Sequence, residues 1–164
     1  MRSIVVMGVS GSGKSTIASA LAKRIGCKFI DADRLHTPEN LAKMSAGHAL
    51  DDADRFPWLH SVGLRMKNAD REHLRCVVAC SALKRTYRDI LRDYVPDAFF
   101  VFLDGSLSQM QARIAARSHG VPASLLTSQF NTLEGLQDDE LGIRIDISLS
   151  PDDIVNQIVD QLEA

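Results

Sequence analysis

At 164 residues, with 45% hydrophobic and 24% charged side chains, the chain has the size and make-up of one compact α/β domain that buries its core without disulfides or metal staples. A formal net charge of −2 offers no electrostatic footprint for nucleic acid, and no apolar run is long enough to span a bilayer, so neither nucleic acid nor a membrane is an expected partner. No basic-then-apolar leader precedes the first strand, and a cytoplasmic location is the expectation.

The apolar run 3–7 reads as a buried strand and passes directly into Gly8-Val9-Ser10-Gly11-Ser12-Gly13-Lys14-Ser15, a full G-x-x-x-x-G-K-[ST] phosphate-binding loop. A strand that turns through glycines into a helix aims several backbone N–H groups and a helix N-terminus at one point, which suits a polyphosphate. Lys14 is therefore expected on the terminal phosphates of a nucleotide, and the Ser15 hydroxyl on a magnesium ion that neutralises the same oxygens. The following helix should bury Ile17, Ala20, Leu21 and Ile25 and end at Gly26.

A second strand over 27–30 ends in Ile30-Asp31-Ala32-Asp33, which sets acidic side chains at the sheet edge beside the phosphate loop. Strand alternation would point Asp31 and Asp33 to the same side, with Asp33 further out and the better candidate to accept a proton from an attacking hydroxyl or to hold magnesium. Asp31 reads better as a cap of the turn. Segments about 45–57 and 117–124 lack periodicity and read as loops suited to a lid or flap.

Further buried strands are expected at 76–80, 98–103 and 143–147, separated by helical patterns. Cys27, Cys76 and Cys80 have no metal-ligand spacing; the latter two share a strand face and lie too far apart for a disulfide, so they read as small hydrophobes. Ser150-Pro151-Asp152-Asp153 opens a last helix with Ile154, Ile158 and Leu162 on one side. Such a series predicts a five-stranded parallel sheet with helices on both faces, and places catalytic groups after strands two, three and four.

Several polar segments are too specific for linkers. They are Met7 to Thr16, Asp31-x-Asp33-x-Leu35-His36, Asn40, Lys43-Met44, Gly47, Asp52-x-Asp54-Arg55-x-Pro57-Trp58-Leu59 and Cys80-Ser81-Ala82-Leu83-Lys84-Arg85-x-Tyr87-Arg88-Asp89-x-Leu91-Arg92. With Arg113, Arg117, His119 and Leu125-Leu126-x-Ser128-Gln129-Phe130-x-x-Leu133-Glu134, they cover the chain from Ile4 to about Glu134. In these residues the chain resembles a gluconate kinase of the phosphate-loop type. It departs from that pattern at Gly120-Val121 before Pro122 and at Gly135-Leu136, so the lid is where closure or substrate range would differ.

The resemblance implies one three-layer P-loop kinase domain over 1–164, with an acceptor region about 33–68 and a small lid about 113–125. It implies ATP and magnesium, transfer to the terminal hydroxyl of gluconate to give 6-phosphogluconate, and a homodimer. Gly11, Ser12, Gly13, Lys14, Ser15 and Thr16 would hold the nucleotide with Arg113 and Arg117. The two arginines are four apart, a spacing that can set both on one helix face, and they would close over ATP, stabilising the transferring phosphoryl group. Asp33, His36, Arg55 and Lys84 would face the acceptor, with Lys14, Asp33 and Arg117 as catalytic residues and Ser15 and Asp33 toward magnesium. A plainer use of Arg55 is an ion pair with Asp52 or Asp54, and Trp58 reads as a packing anchor.

Two other readings compete. Shikimate-type and nucleoside-monophosphate kinases share the layout and the phosphate loop, but their acceptors would need other residues. A nucleotide-dependent switch is disfavoured because a guanine-reading Asn-Lys-x-Asp is absent, and Asp139-x-x-Gly142 reads as a turn.

Overall fold

The computed structural model describes residues 2–116 and 122–164. Five parallel strands, β1 (Ile4–Met7), β2 (Lys28–Asp31), β3 (Cys76–Ala79), β4 (Phe99–Asp104) and β5 (Gly142–Asp146), form one sheet in the order β2-β3-β1-β4-β5. Every residue of β1 and β3 is buried and β4 is buried up to Asp104, whereas the edge strands β2 and β5 are half exposed. That gradient is what helices on both faces produce, and it explains why the three central strands read as continuous apolar runs. Each expected strand lies within a residue or two of its observed bounds.

Helix α1 (Lys14–Ile25) packs on the sheet through Ile17, Ala18, Leu21 and Ala22. Ala20, expected in that stripe, is exposed. At 100° per residue it falls outside the arc spanned by the four buried positions, so Ala18 and Ala22 fill the stripe instead. Gly26 ends the helix at φ 70°, as the sequence suggested.

The expected loop 45–57 is shorter than its lack of periodicity implied. Helix α2 (Pro38–Ser45) ends at its start, and α3 (Asp52–Arg71) already runs through its second half. A reciprocal capping box starts α3: Asp54 N–H donates to the Asp51 carboxylate at 2.8 Å, and Asp51 N–H to the Asp54 carboxylate at 3.0 Å. The first turn is thus held by polar side chains, which a search for apolar spacing does not see. In the second expected loop, 117–121 lie outside the described residues, and 123–124 belong to α6 (Ala123–Thr132).

Helices α4 (Arg85–Tyr94), α5 (Leu107–Ala115) and α7 (Pro151–Glu163) complete the described elements. Ile154 and Ile158 of α7 are buried, with Val155 and Val159 beside them. Cys76 and Cys80 are buried free thiols, and burial pushes Cys80 up to about 12, so it serves as a small hydrophobe. Among the described residues no helix is long and apolar enough to cross a membrane.

One polar assembly in the interior was not expected. Arg88 of α4 is fully buried, and its guanidinium grips both Glu140 carboxylate oxygens at 2.7 and 2.9 Å. It also donates to the carbonyls of Ala82, Leu83, Glu134 and Gly135 at 3.0 to 3.3 Å. The segment after β3 is thereby stapled to the one before β5, and the Glu134 N–H to Leu83 carbonyl bond at 2.7 Å reinforces it. Asp139 sits in the turn beside it and pairs with Arg85.

Burial pushes the Glu140 carboxyl up, but hydrogen bonds from Arg88, the Gln137 N–H and Arg92 outweigh it and hold the group at about 2. A folded-state value below the ordinary 4.5 means that the carboxylate stabilises the fold fully above pH 4.5, and that this contribution is lost as pH falls toward 2. Glu140→Gln, which strands the buried Arg88 charge, should cost about 3–5 kcal/mol in urea unfolding at neutral pH. The gap between variant and parent should narrow across that acid window.

Candidate functional site

The phosphate loop follows β1 at the carboxyl edge of the sheet, with β3 on one side and β4 on the other. Gly8 N–H donates to Ser81 O at 3.3 Å, so the loop is tied to the segment after β3 as it begins. Gly13 caps α1 at φ 91°, a left-handed conformation that glycine adopts without the Cβ penalty. Lys14 folds back across the loop, its Nζ donating to Val9 O at 3.1 Å. Gly11, Gly13, Lys14, Ser15 and Thr16 line a cleft of about 380 Å³, and Asp33 stands at its edge. The N-terminus of α1 gives this cleft a positive field.

Asp33 reaches the cleft by a route different from the expected one. The strand stops at Asp31, and Ala32–Leu35 form a 3₁₀ turn, so strand alternation does not relate Asp31 to Asp33. The Asp31 carboxylate instead accepts the Asp33 N–H at 3.1 Å, acting as the cap of that turn.

A neighbouring cavity of about 350 Å³ opens on the other side of Lys14 and Asp33. His36, Arg55 and Ser81 supply its polar wall, and Leu50, Trp58 and Leu125 its apolar one. Trp58 is 2% exposed, anchored by its indole N–H on Ala32 O at 2.7 Å, and it stacks on His36 with ring centroids 4.1 Å apart. The anchor reading of Trp58 thus holds, and the anchored ring also orients His36. Burial lowers the His36 pKa from its ordinary value, with Asp33 pulling up and Arg55 pushing down.

Arg55 lies in the first turns of α3 and donates to the Tyr87 hydroxyl at 2.9 Å. Its nearby carboxylates are engaged elsewhere: Asp54 binds Lys43 at 2.6 Å, and Asp52 accepts from Tyr87 and from Lys84. Lys84, expected to face the acceptor, caps α4 and reaches Asp52 at 3.4 Å, with its ammonium 5.6 Å from the Tyr87 ring centroid. It is not among the described residues that line the cavity; it belongs to the Asp52–Tyr87 network that holds Arg55.

On the far side of the loop, Ser12, Gly13, Thr16 and Arg113 meet Leu149 and Pro151 around a third hollow of about 380 Å³. Arg113 binds Ser12 O at 3.3 Å and Ile147 O at 2.6 Å, fastening the β5 exit to the phosphate loop. Leu149 and Pro151, between β5 and α7, form one wall of this hollow. Arg117, His119 and Gly120-Val121 lie outside the described residues.

Residue spacing assigned no role to Gln129, whose side-chain oxygen accepts the Ser10 N–H at 2.7 Å and so joins α6 to the phosphate loop. The same holds for Asn40 and Tyr87. All three stand in the segments that carry the resemblance, which was the only signal available for them.

A phosphate loop at the carboxyl edge of a five-stranded parallel sheet, an acidic side chain beside it and an adjoining polar cavity define a P-loop phosphotransferase. Residues 10–163 match the shikimate kinase family model. The gluconokinase of Gluconobacter oxydans is 43% identical over 164 residues, covering 99% of this chain and 92% of that protein. The crystal structure of a gluconokinase from Sinorhizobium meliloti superposes with a TM-score of 0.91 at 44% identity, covering 99% and 91% of the two chains. An unliganded sugar kinase from Janibacter sp. superposes with a TM-score of 0.95 at 44% identity, covering 99% and 95%. The chain belongs to the gluconokinase family and carries a kinase domain of the shikimate kinase type.

The Tyr87 network is open to a direct test. The hydrogen bond from Tyr87, followed by that from Lys84, holds the Asp52 carboxyl below the usual carboxylate range. Tyr87→Phe keeps the ring and removes the hydroxyl, so an NMR titration should find the Asp52 pKa higher in the variant than in the parent.

Proposed function

We propose that this chain transfers the γ-phosphoryl group of ATP to the terminal hydroxyl of gluconate, giving 6-phosphogluconate and ADP. The observation that carries this reading is that Lys14 and Asp33 line both the phosphate cleft and the adjoining cavity. A triphosphate in the one and an acceptor in the other meet at those two side chains. Family membership supports gluconate as that acceptor, since the similar proteins are named gluconokinases. The cavity chemistry suits it: Arg55 supplies a cation for the carboxylate, His36 and Ser81 supply hydrogen-bonding groups for hydroxyls, and the volume suits a six-carbon acid.

In this mechanism the N–H groups at the start of α1 and the Lys14 ammonium hold the terminal phosphates. Asp33 accepts the proton of the acceptor hydroxyl as its oxygen bonds to the γ-phosphorus and the bond to the β-phosphate oxygen breaks. Ser15 and Asp33 are the residues that would hold magnesium, and both line the phosphate cleft. One hydroxyl and one carboxylate suit an ion bound mainly by phosphate oxygens and water, and no group of three His, Cys, Asp or Glu side chains suited to a metal occurs among the described residues. When bound, the ion neutralises charge on the phosphate oxygens. The family reading brings with it a cytoplasmic location and a homodimer; a light-scattering mass equal to two chains tests the latter.

Asp33→Asn keeps shape and removes the proton acceptor, so kcat should fall by about 10²–10⁴-fold with ATP binding largely kept. Near-normal turnover would exclude Asp33 as the base. Lys14→Ala should raise the KM for ATP and lower kcat together. A coupled ADP-release assay on gluconate, shikimate and nucleoside monophosphates should show turnover with gluconate, and turnover confined to either alternative would overturn the reading.

A further inference from the structure

We infer that Asn40 is a positioning residue that locks the His36 imidazole in the tautomer carrying its proton on Nε2, so that the cavity meets an N–H donor at that edge of the ring. Asn40 is 3% exposed, and its Nδ2 lies 3.0 Å from Asp54 O and 3.3 Å from His36 Nδ1. A backbone carbonyl can only accept, so the amide group facing Asp54 O is the NH₂ and not the oxygen. One of its hydrogens serves Asp54 O, and the other is directed at Nδ1. A donor aimed at Nδ1 requires a lone pair there, which leaves the proton of the neutral ring on Nε2.

The surroundings fix each member of this relay. The Asp54 carbonyl sits in the capped first turn of α3, with the Asp54 carboxylate also held by Lys43 at 2.6 Å. The ring plane of His36 is set by Trp58, stacked within 16° of parallel and itself pinned to Ala32 O. Asn40 is placed by its own N–H, which donates to the Thr37 side chain at 3.1 Å at the start of α2. The charged groups facing the cavity with His36 are Asp33 from the 3₁₀ turn, Arg55 from α3 and Lys14 from α1. A second proton on Nδ1 would point at the Asn40 NH₂, and burial already disfavours the imidazolium.

The functional consequence rests on the gluconate kinase reading. An Nε2–H donor serves a carboxylate or hydroxyl oxygen of the acceptor and rejects a donor-only ammonium at the same place. Asn40 thus acts on specificity through His36 without needing to touch the acceptor.

The test is a long-range ¹H–¹⁵N correlation spectrum of the full chain at pH 8 without ligands, with the His36 signals assigned by their loss in His36→Gln. The Nε2–H pattern is expected for His36; an Nδ1–H pattern, or an average of the two tautomers, overturns the inference. In Asn40→Asp the new carboxylate accepts from Nδ1–H, so the pattern should switch. Loss of the donor should also raise the KM for gluconate about tenfold, with the KM for ATP within about twofold. An Asn40→Asp protein that keeps the Nε2–H pattern and the parental gluconate KM overturns it as well. The parent spectrum decides the tautomer even where the variant does not fold. It also needs no substrate, so failure to phosphorylate gluconate would sink the functional reading and leave the tautomer standing.

Discussion

Arg88 lies with no exposed surface, and its guanidinium is shared between Glu140 and four backbone carbonyls drawn from either side of it in the chain. Moving an unpaired charge into such an interior would cost several kcal/mol, and here the paired carboxylate and the carbonyls offset it. The geometry leaves the segment after β3 one path. Ala82 within it adopts φ 43°, a left-handed conformation that a non-glycine residue holds only when its surroundings insist. Ser81 and Leu83, on either side of Ala82, form part of the cavity wall, and the Ser81 carbonyl receives the Gly8 N–H at the start of the phosphate loop. The buried ion pair therefore holds the segment that joins the cavity wall to the phosphate loop.

Around that frame, specific partners take up the carboxylates that flank Arg55 in the chain. Asp54 is taken up by the α3 cap and Lys43, and Asp52 by Tyr87 and Lys84. Arg55, lying next to both carboxylates in sequence, is left to bind the Tyr87 hydroxyl and face the cavity. A cation held by a neutral phenol keeps more of its charge for an anionic ligand than one already paired with a carboxylate. The same logic applies on the far side of the phosphate loop, where Arg113 binds two backbone carbonyls. Its bonds fix where the β5 exit passes the loop.

Much of this architecture was legible beforehand because it is written locally. The strands showed as short apolar runs, since both faces of the central sheet are covered. The loop showed as a spaced set of glycines before Lys14-Ser15, since the turn and the phosphate chemistry each demand those residue types. Reading failed where polar side chains did the structural work. The start of α3 lacks apolar spacing because Asp51 and Asp54 cap it, and Asp31 and Asp33 look like one strand face in the sequence because a 3₁₀ turn leaves no periodic trace. Of the acceptor-side residues named from sequence, Asp33, His36 and Arg55 meet in one cavity, while Lys84 turns to Asp52.

By itself, then, the sequence determined the order of strands and helices, the phosphate loop and the family, all of which follow from neighbours a few residues apart or from whole segments matched as units. Only the tertiary structure decided that Asp33 borders two cavities, that Tyr87 holds Arg55 from 32 residues away, and that Arg88 meets Glu140 across 52. A single arginine or asparagine in a sequence is compatible with a solvated face, a cap or a buried partner. Which of these it becomes depends on the desolvation it suffers and the acceptors it finds once the sheet has brought distant segments together.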